Sequence, residues 1–147
     1  VTSRSPDETR RLAGRLAEVA RAGDLIALIG ELGAGKTQFV KGFAVGLGVT
    51  ATVNSPSFVL MSEYAGRLPL FHLDLFRLAD AGEAIAGGLL DERQADGVTL
   101  VEWAEKLGPV LPADRLEVRI DGTGDEPRTI SLTAGGPSHR RYVEALG

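Results

Sequence analysis

Gly30-Glu31-Leu32-Gly33-Ala34-Gly35-Lys36-Thr37 constrains this chain more than any other stretch of it. The eight residues match G-x-x-x-x-G-K-[ST]. In such a loop the glycines let successive backbone N–H groups point into one cavity, a nest for phosphate oxygens. Lys36 then reaches the β- and γ-phosphates as a point charge, and the Thr37 hydroxyl ligates Mg²⁺. The flanks are those the loop requires. Leu25-Ile26-Ala27-Leu28-Ile29 is a short uncharged run, as in a strand covered on both faces. Phe39, Val40, Phe43, Ala44 and Leu47 then recur at helical spacing, and Gly48 stands where a C′ glycine ends a helix. A helix beginning near Lys36 adds its positive N-terminal end to the same anion. Strand, loop and helix together predict a nucleotide-binding α/β protein.

The surrounding chain supplies further elements. Ser5 suits an N-cap, Pro6 the first helical position and Glu8 a capping box, with Leu12, Leu16, Val19 and the alanines 13, 17 and 20 forming the apolar face and Gly23 the end. After the turn-type cluster Asn54-Ser55-Pro56-Ser57, a β-rich run from Phe58 to Tyr64 returns through Ala65-Gly66-Arg67 into Leu70 to Phe76. That hairpin puts antiparallel pairing beside a parallel sheet. Asp80 to Glu92 reads as short helices broken near Gly87-Gly88. Val98 to Val101 reads as a buried strand, and Leu116 to Ile120 and Arg128 to Thr133 as two strands around a polar turn. A last helix runs from about Ser138 to Leu146. The expected architecture is a single P-loop nucleotide-binding domain over residues 1 to 147, with a mixed, largely parallel central sheet flanked by helices.

Composition narrows the function. The 147 residues carry a formal net charge of −4, so the chain as a whole is no basic nucleic-acid binder, and contact with RNA is expected only through partners. No apolar run approaches the roughly 20 residues of a membrane span, and no secretory apolar segment opens the sequence. The absence of cysteine excludes disulfides and thiolate metal sites and fits a reducing cytoplasm.

Hydrolysis or phosphoryl transfer needs an acid to steer Mg²⁺ and a group to position the nucleophile. Val98 to Val101 followed by Glu102 has the form of a Walker B strand, with Glu where Asp is commoner, and this places Glu102 in the Mg²⁺ shell. In the other strand, alternation puts His72 and Asp74 on one face and Phe71, Leu73 and Leu75 on the opposite one. Polar residues in an apolar strand are costly to bury unless paired or used, so this pair is either part of the site or a structural His–Asp hydrogen bond. Ser55-Pro56-Ser57 lies where nucleotide switches place a hydroxyl that senses the γ-phosphate. Trp103 reads as a packing anchor. His139, Arg140 and Arg141 read as a solvated helix face.

These residues resemble the TsaE family, small bacterial ATPases needed to make threonylcarbamoyladenosine in tRNA. The resemblance rests on the loop Gly30 to Thr37, on Ser55-Pro56-Ser57-Phe58, on His72-Leu73-Asp74-Leu75-Phe76-Arg77-Leu78 and on Val101-Glu102-Trp103, in that order. Asp7-Glu8-Thr9 and Leu111-Pro112 also fit. The resemblance implies that Gly33, Ala34, Gly35, Lys36, Thr37 and Gln38 hold the phosphates of ATP or ADP, and that Thr37 and Glu102 bind Mg²⁺. It implies that Asp74, with Glu102, serves hydrolysis, and that Ser57 stands where the family usually has Thr and keeps the hydroxyl. Arg128 would approach the nucleotide. It further implies partners, TsaB and TsaD, which carry out the threonylcarbamoyl transfer while the ATPase supports their cycle.

Two other classes share the loop. A small-molecule kinase needs an acceptor pocket and an arginine-bearing lid, but Arg77, Arg93 and Arg128 are scattered. A GTPase-like switch usually reads guanine through Asn-Lys-x-Asp, which is absent. The motif order favours the ATPase.

Overall fold

Ser5 and Pro6 start the first helix as their order predicts. In the computed structural model, which describes residues 1–31, 33–53, 61–76 and 92–146, α1 spans Pro6–Ala17 and the Ser5 side chain accepts the Glu8 amide at 3.1 Å. Glu8 reaches back to the Arg4 amide, one residue before the amide a capping box would use. The helix ends six residues short of Gly23. Arg67 donates to the freed carbonyls of Ala17 (2.8 Å) and Ala20 (3.2 Å), and Arg141 donates to that of Val19 at 2.8 Å. Cations from distant segments thus cover the C-terminal carbonyls, and Val19 and Ala20 stay packed in a tightened last turn whose amides bond to Leu16 and Ala17, each at 3.2 Å.

The chain continues through β2 (Leu25–Ile29) and α2 (Lys36–Gly46), after a two-residue opening strand β1 (Thr2–Ser3). The hairpin is β3 (Met61–Tyr64) and β4 (Leu70–Asp74). Then come β5 (Val98–Glu102), β6 (Leu116–Asp121), β7 (Arg128–Ala134) and α3 (Arg140–Leu146). Residues 58–60 of the expected hairpin strand, and all of the expected helical stretch 80–92 except Glu92, lie outside the described residues. Glu92 itself opens a 3₁₀ turn to Asp96. None of the helices described is long and apolar enough to cross a membrane.

Seven described strands form one sheet in the order β1-β7-β6-β2-β5-β4-β3. The central four are parallel, and both flanks are antiparallel. This is the mixed, largely parallel sheet the hairpin implied. Alternation along each strand divides the core in two. Ile26, Leu28, Val98, Leu100, Leu116 and Val118 pack with α1 and α2, whereas Leu25, Ala27, Phe71, Leu73 and Val101 pack with Ala104 and Leu107 on the opposite face. Helices α1 and α2 touch backbone to backbone at Gly42. A Cβ there would collide with the Arg10 main chain, so no larger residue fits without separating the helices.

The parity that sends Leu70 and Leu100 toward the helices also sends His72, Asp74 and Glu102 there. The register pairs Leu28 with Glu102 and Asp74 with Glu102. The ends of β2, β4 and β5 therefore lie side by side at the carboxyl edge of the sheet, where open α/β sheets place their ligands.

Candidate functional site at the carboxyl edge of the sheet

The loop leaves β2 and enters α2 through Gly35, whose φ of 109° is a left-handed conformation that an L side chain rarely adopts. Gly33 is left-handed as well, with φ 82°. No side chain caps the first turn of α2, which leaves its N–H groups facing the loop cavity. That cavity, about 330 Å³, is lined by the loop residues Gly33 and Gly35 to Gln38 together with Asp74, Phe76, Glu102 and Trp103. Seven of the residues expected in the site thus meet on one opening: Gly33, Gly35, Lys36, Thr37, Gln38, Asp74 and Glu102.

Their contacts define distinct roles. The Thr37 Oγ1 donates toward the two Glu102 carboxylate oxygens at 3.1 and 3.3 Å, across 65 residues of sequence. A hydroxyl and a carboxylate this close, at the edge of an open cavity, fit Mg²⁺, which takes one or two hard protein oxygens and completes its shell with phosphates and waters. Lys36 is buried apart from its access to the cavity. Its ammonium donates to the carbonyls of Gly30 and, at 3.3 Å, Glu31, and it lies 3.7 Å from the centre of the Trp103 ring. Burial lowers its pKa, and the charges of Glu102, Glu105 and Asp74 oppose that shift. Asp74 is half-buried and accepts the Phe76 amide at 3.1 Å. Burial is the main cause raising its pKa. The Phe76 hydrogen bond opposes this, and the Glu102 charge adds to it.

Three readings of the sequence change here. The structural alternative for His72, a bond to Asp74, gives way to a bond with Glu102: Nε2 lies 2.6 Å from Oε2, and both residues are buried. Asp74, two residues along β4, and Glu102, diagonally across on β5, lie at comparable separations from His72, and the β4–β5 register with its buried hydrogen bond decides for Glu102. Trp103 does pack against the second core, but it also carries Lys36 on its ring and meets the Phe76 ring at 5.2 Å, tilted by 47°. Its φ of 59° turns the chain sharply after Glu102. The adjacency of Glu102 and Trp103 was the one available signal for that role.

The third change concerns His139 and Arg141, expected on a solvated face. His139 is buried and Arg141 is ion-paired to buried Asp24; of the three residues only Arg140 is exposed. The Leu25 amide donates to His139 Nε2 at 3.2 Å, and His139 Nδ1 donates to Asp114 at 2.8 Å. Tyr142 also donates to Asp24, and burial together with that carboxylate raises its pKa. Packing of α3 against β7 and α1, with Arg141 and Tyr142 on Asp24, excludes water from this face.

Arg128 does reach the loop. Its Nε donates to the Ala34 carbonyl at 3.1 Å, and Nη2 donates to those of Gly33 (3.3 Å) and Gly124 (3.1 Å). The guanidinium thus ties the β6–β7 turn to the outer side of the loop. There it borders a second cavity of about 370 Å³ with Gln38, Thr9 and residues 3 to 6. Gln38 accepts a hydrogen bond from Arg10 of α1 at the same place. Ser57 lies outside the described residues.

A family model described as threonylcarbamoyl adenosine biosynthesis protein TsaE matches residues 3–130, which include every candidate residue above. The chain belongs to the TsaE family. Among its relatives, the TsaE protein of Bacillus subtilis is 45% identical over 143 residues, covering 97% of this chain and 89% of that protein. The TsaE protein of Streptomyces coelicolor is 42% identical over 134 residues, covering 86% and 90%. The crystal structure of Bacillus subtilis YdiB superposes with a TM-score of 0.84 at 40% identity, covering 99% of this chain and 91% of that one. The TsaE match extends to the central sheet, the loop and the carboxylates alike. Helix α3 follows the matched segment.

Proposed function

We propose that this TsaE-family chain binds Mg²⁺-ATP and ADP and hydrolyses ATP slowly on its own. It works chiefly inside an assembly with TsaB and TsaD that modifies tRNA with threonylcarbamoyladenosine. The observation carrying this reading is that Lys36, Thr37, Glu102 and Asp74, from three adjacent strand ends, open on one cavity at the start of α2. The loop amides and the α2 N-terminus bind the phosphates. Lys36 would exchange its backbone carbonyls for the β- and γ-oxygens, a charge-assisted bond replacing neutral ones. Thr37 and Glu102 would hold the metal, which when bound supplies charge neutralisation on the β- and γ-phosphates. Asp74 stands across the cavity from the loop, free to orient an attacking water. Its raised pKa brings its proton affinity closer to that of a general base.

Calorimetric titration of the parent and of Lys36→Ala tests the site. The variant should stay folded and lose roughly 30- to 100-fold in ATP affinity, the worth of one or two strong charged hydrogen bonds. Equal affinities would refute the loop assignment. Phosphate release should be slow for the isolated chain and should rise when purified TsaB and TsaD are both added. Fast release that ignores both proteins would contradict the assembly role.

A further inference from the structure

His72 is a buried polar residue of β4 to which neither the loop motif nor the reading above gives a task. It is fully buried, and it spends its Nε2 on Glu102 Oε2 at 2.6 Å. Its Nδ1 has no hydrogen-bond partner among the described residues. A proton on Nδ1 would be a buried donor without an acceptor, so the single ring proton belongs on Nε2, pointing at Glu102. Glu102 is itself buried, and its other oxygen, Oε1, lies nearer the Thr37 hydroxyl, at 3.1 Å against 3.3 Å for Oε2.

We propose that His72 is a positioning residue for the Mg²⁺ site: its Nε2–H clamps one oxygen of Glu102 so that the other faces Thr37 and the metal. This rests on the reading of Thr37 and Glu102 as the metal-holding pair. The physical reason is that a carboxylate has two nearly equivalent oxygens and a soft terminal torsion. A single acid at a strand end would sample orientations that turn its lone pairs away from the cavity. A rigid imidazole on the neighbouring strand removes that freedom without touching substrate. The strand pairing keeps the clamp in place, since β4 and β5 are hydrogen-bonded in parallel with Asp74 opposite Glu102. Outer-shell partners of metal ligands act this way generally, and their loss typically costs 10- to 100-fold in metal affinity.

Three variants separate clamping from mere packing. His72→Leu fills the space without a donor. His72→Gln places an amide N–H near the reach of Nε2, and His72→Asn places one too short to arrive. For each folded variant, ATP affinity is measured by calorimetry across a Mg²⁺ series and in EDTA, with thermal midpoints recorded alongside. His72→Leu and His72→Asn should need about tenfold more Mg²⁺ for half of its effect while binding ATP in EDTA as the parent does, and His72→Gln should recover most of the loss. A Mg²⁺ response in His72→Leu identical to the parent's overturns the clamp. So does a loss in His72→Gln equal to that in His72→Leu. A parent whose ATP affinity ignores Mg²⁺ overturns the metal-site reading and this assignment with it; a responsive parent whose variants respond to Mg²⁺ just as it does places the failure in the clamp alone.

Discussion

Two polar clusters, each around a buried histidine and a buried carboxylate, sit at opposite ends of the central strands, and each adds a cation and a second acid. At the carboxyl edge His72, Glu102, Asp74, Thr37 and Lys36 gather around an open cavity. At the amino edge of β2, Asp24, His139, Asp114, Arg141 and Tyr142 gather under α3. Asp24 is densely paired through one oxygen: its Oδ2 accepts from Arg141, from Tyr142 and, at 2.8 Å, from the Arg21 amide. His139 likewise has both ring nitrogens engaged, one by the backbone of β2. In the carboxyl-edge cluster the groups are held but not exhausted. Lys36 rests on backbone carbonyls that a phosphate can replace, and Asp74 keeps an oxygen toward the cavity. Dense pairing under a helix makes a structural clasp, whereas partial pairing beside an opening makes a site.

The largest test of this contrast is Asp74→Ala. It should retain most ATP affinity yet slow single-turnover hydrolysis in the assembled complex by about 10²- to 10⁴-fold, as expected for loss of a group that acts on the attacking water. Unchanged hydrolysis by the folded variant would return Asp74 to a structural role. Asp24→Ala probes the other end. Removing one partner of a buried pair costs about 3 kcal/mol. For a domain of this size that is about 10 °C in thermal midpoint. ATP affinity should not change, and a loss of binding without a loss of stability would break the distinction between the clusters.

The smallest effect is pH-dependent. Because burial raises the Asp74 pKa in the folded protein, its ionisation opposes folding. The carboxyl is neutral in both states below its ordinary value, and the penalty sets in as pH rises through the folded pKa. Asp74→Asn should therefore melt slightly higher than the parent at pH 7, with the difference closing below about pH 4. Melting curves across that range check it; a difference constant with pH would remove the ionisation argument.

Much of the carboxyl-edge cluster was legible because its parts are local signals. Lys36 and Thr37 belong to a contiguous motif, and Glu102 ends an apolar run in the Walker B manner. Asp74 stood out as an acid inside an apolar strand. The partner of His72 was not legible, because choosing between Asp74 and Glu102 requires the register between β4 and β5. The second cluster was missed altogether. Asp24, Asp114 and His139 are single polar residues at element ends, and that pattern usually marks solvated surface. Only the docking of α3 and the turn before it, which brings His139 to Leu25 across 114 residues, buries Asp24 and His139, with exposed Asp114 at their rim.

By itself the sequence determined the strand–loop–helix unit, the capped first helix and the mixed character of the sheet, since each rests on backbone chemistry or periodicity within about a dozen residues. The tertiary structure decided the pairings. The strand order β6-β2-β5-β4 sets Thr37, His72 and Glu102 against one another, and no local rule reads that order from a single chain. The physical reason is range. Propensity and alternation act along the chain, but a hydrogen bond between buried side chains depends on which strands lie side by side and in what register, and the burial of the whole core fixes that.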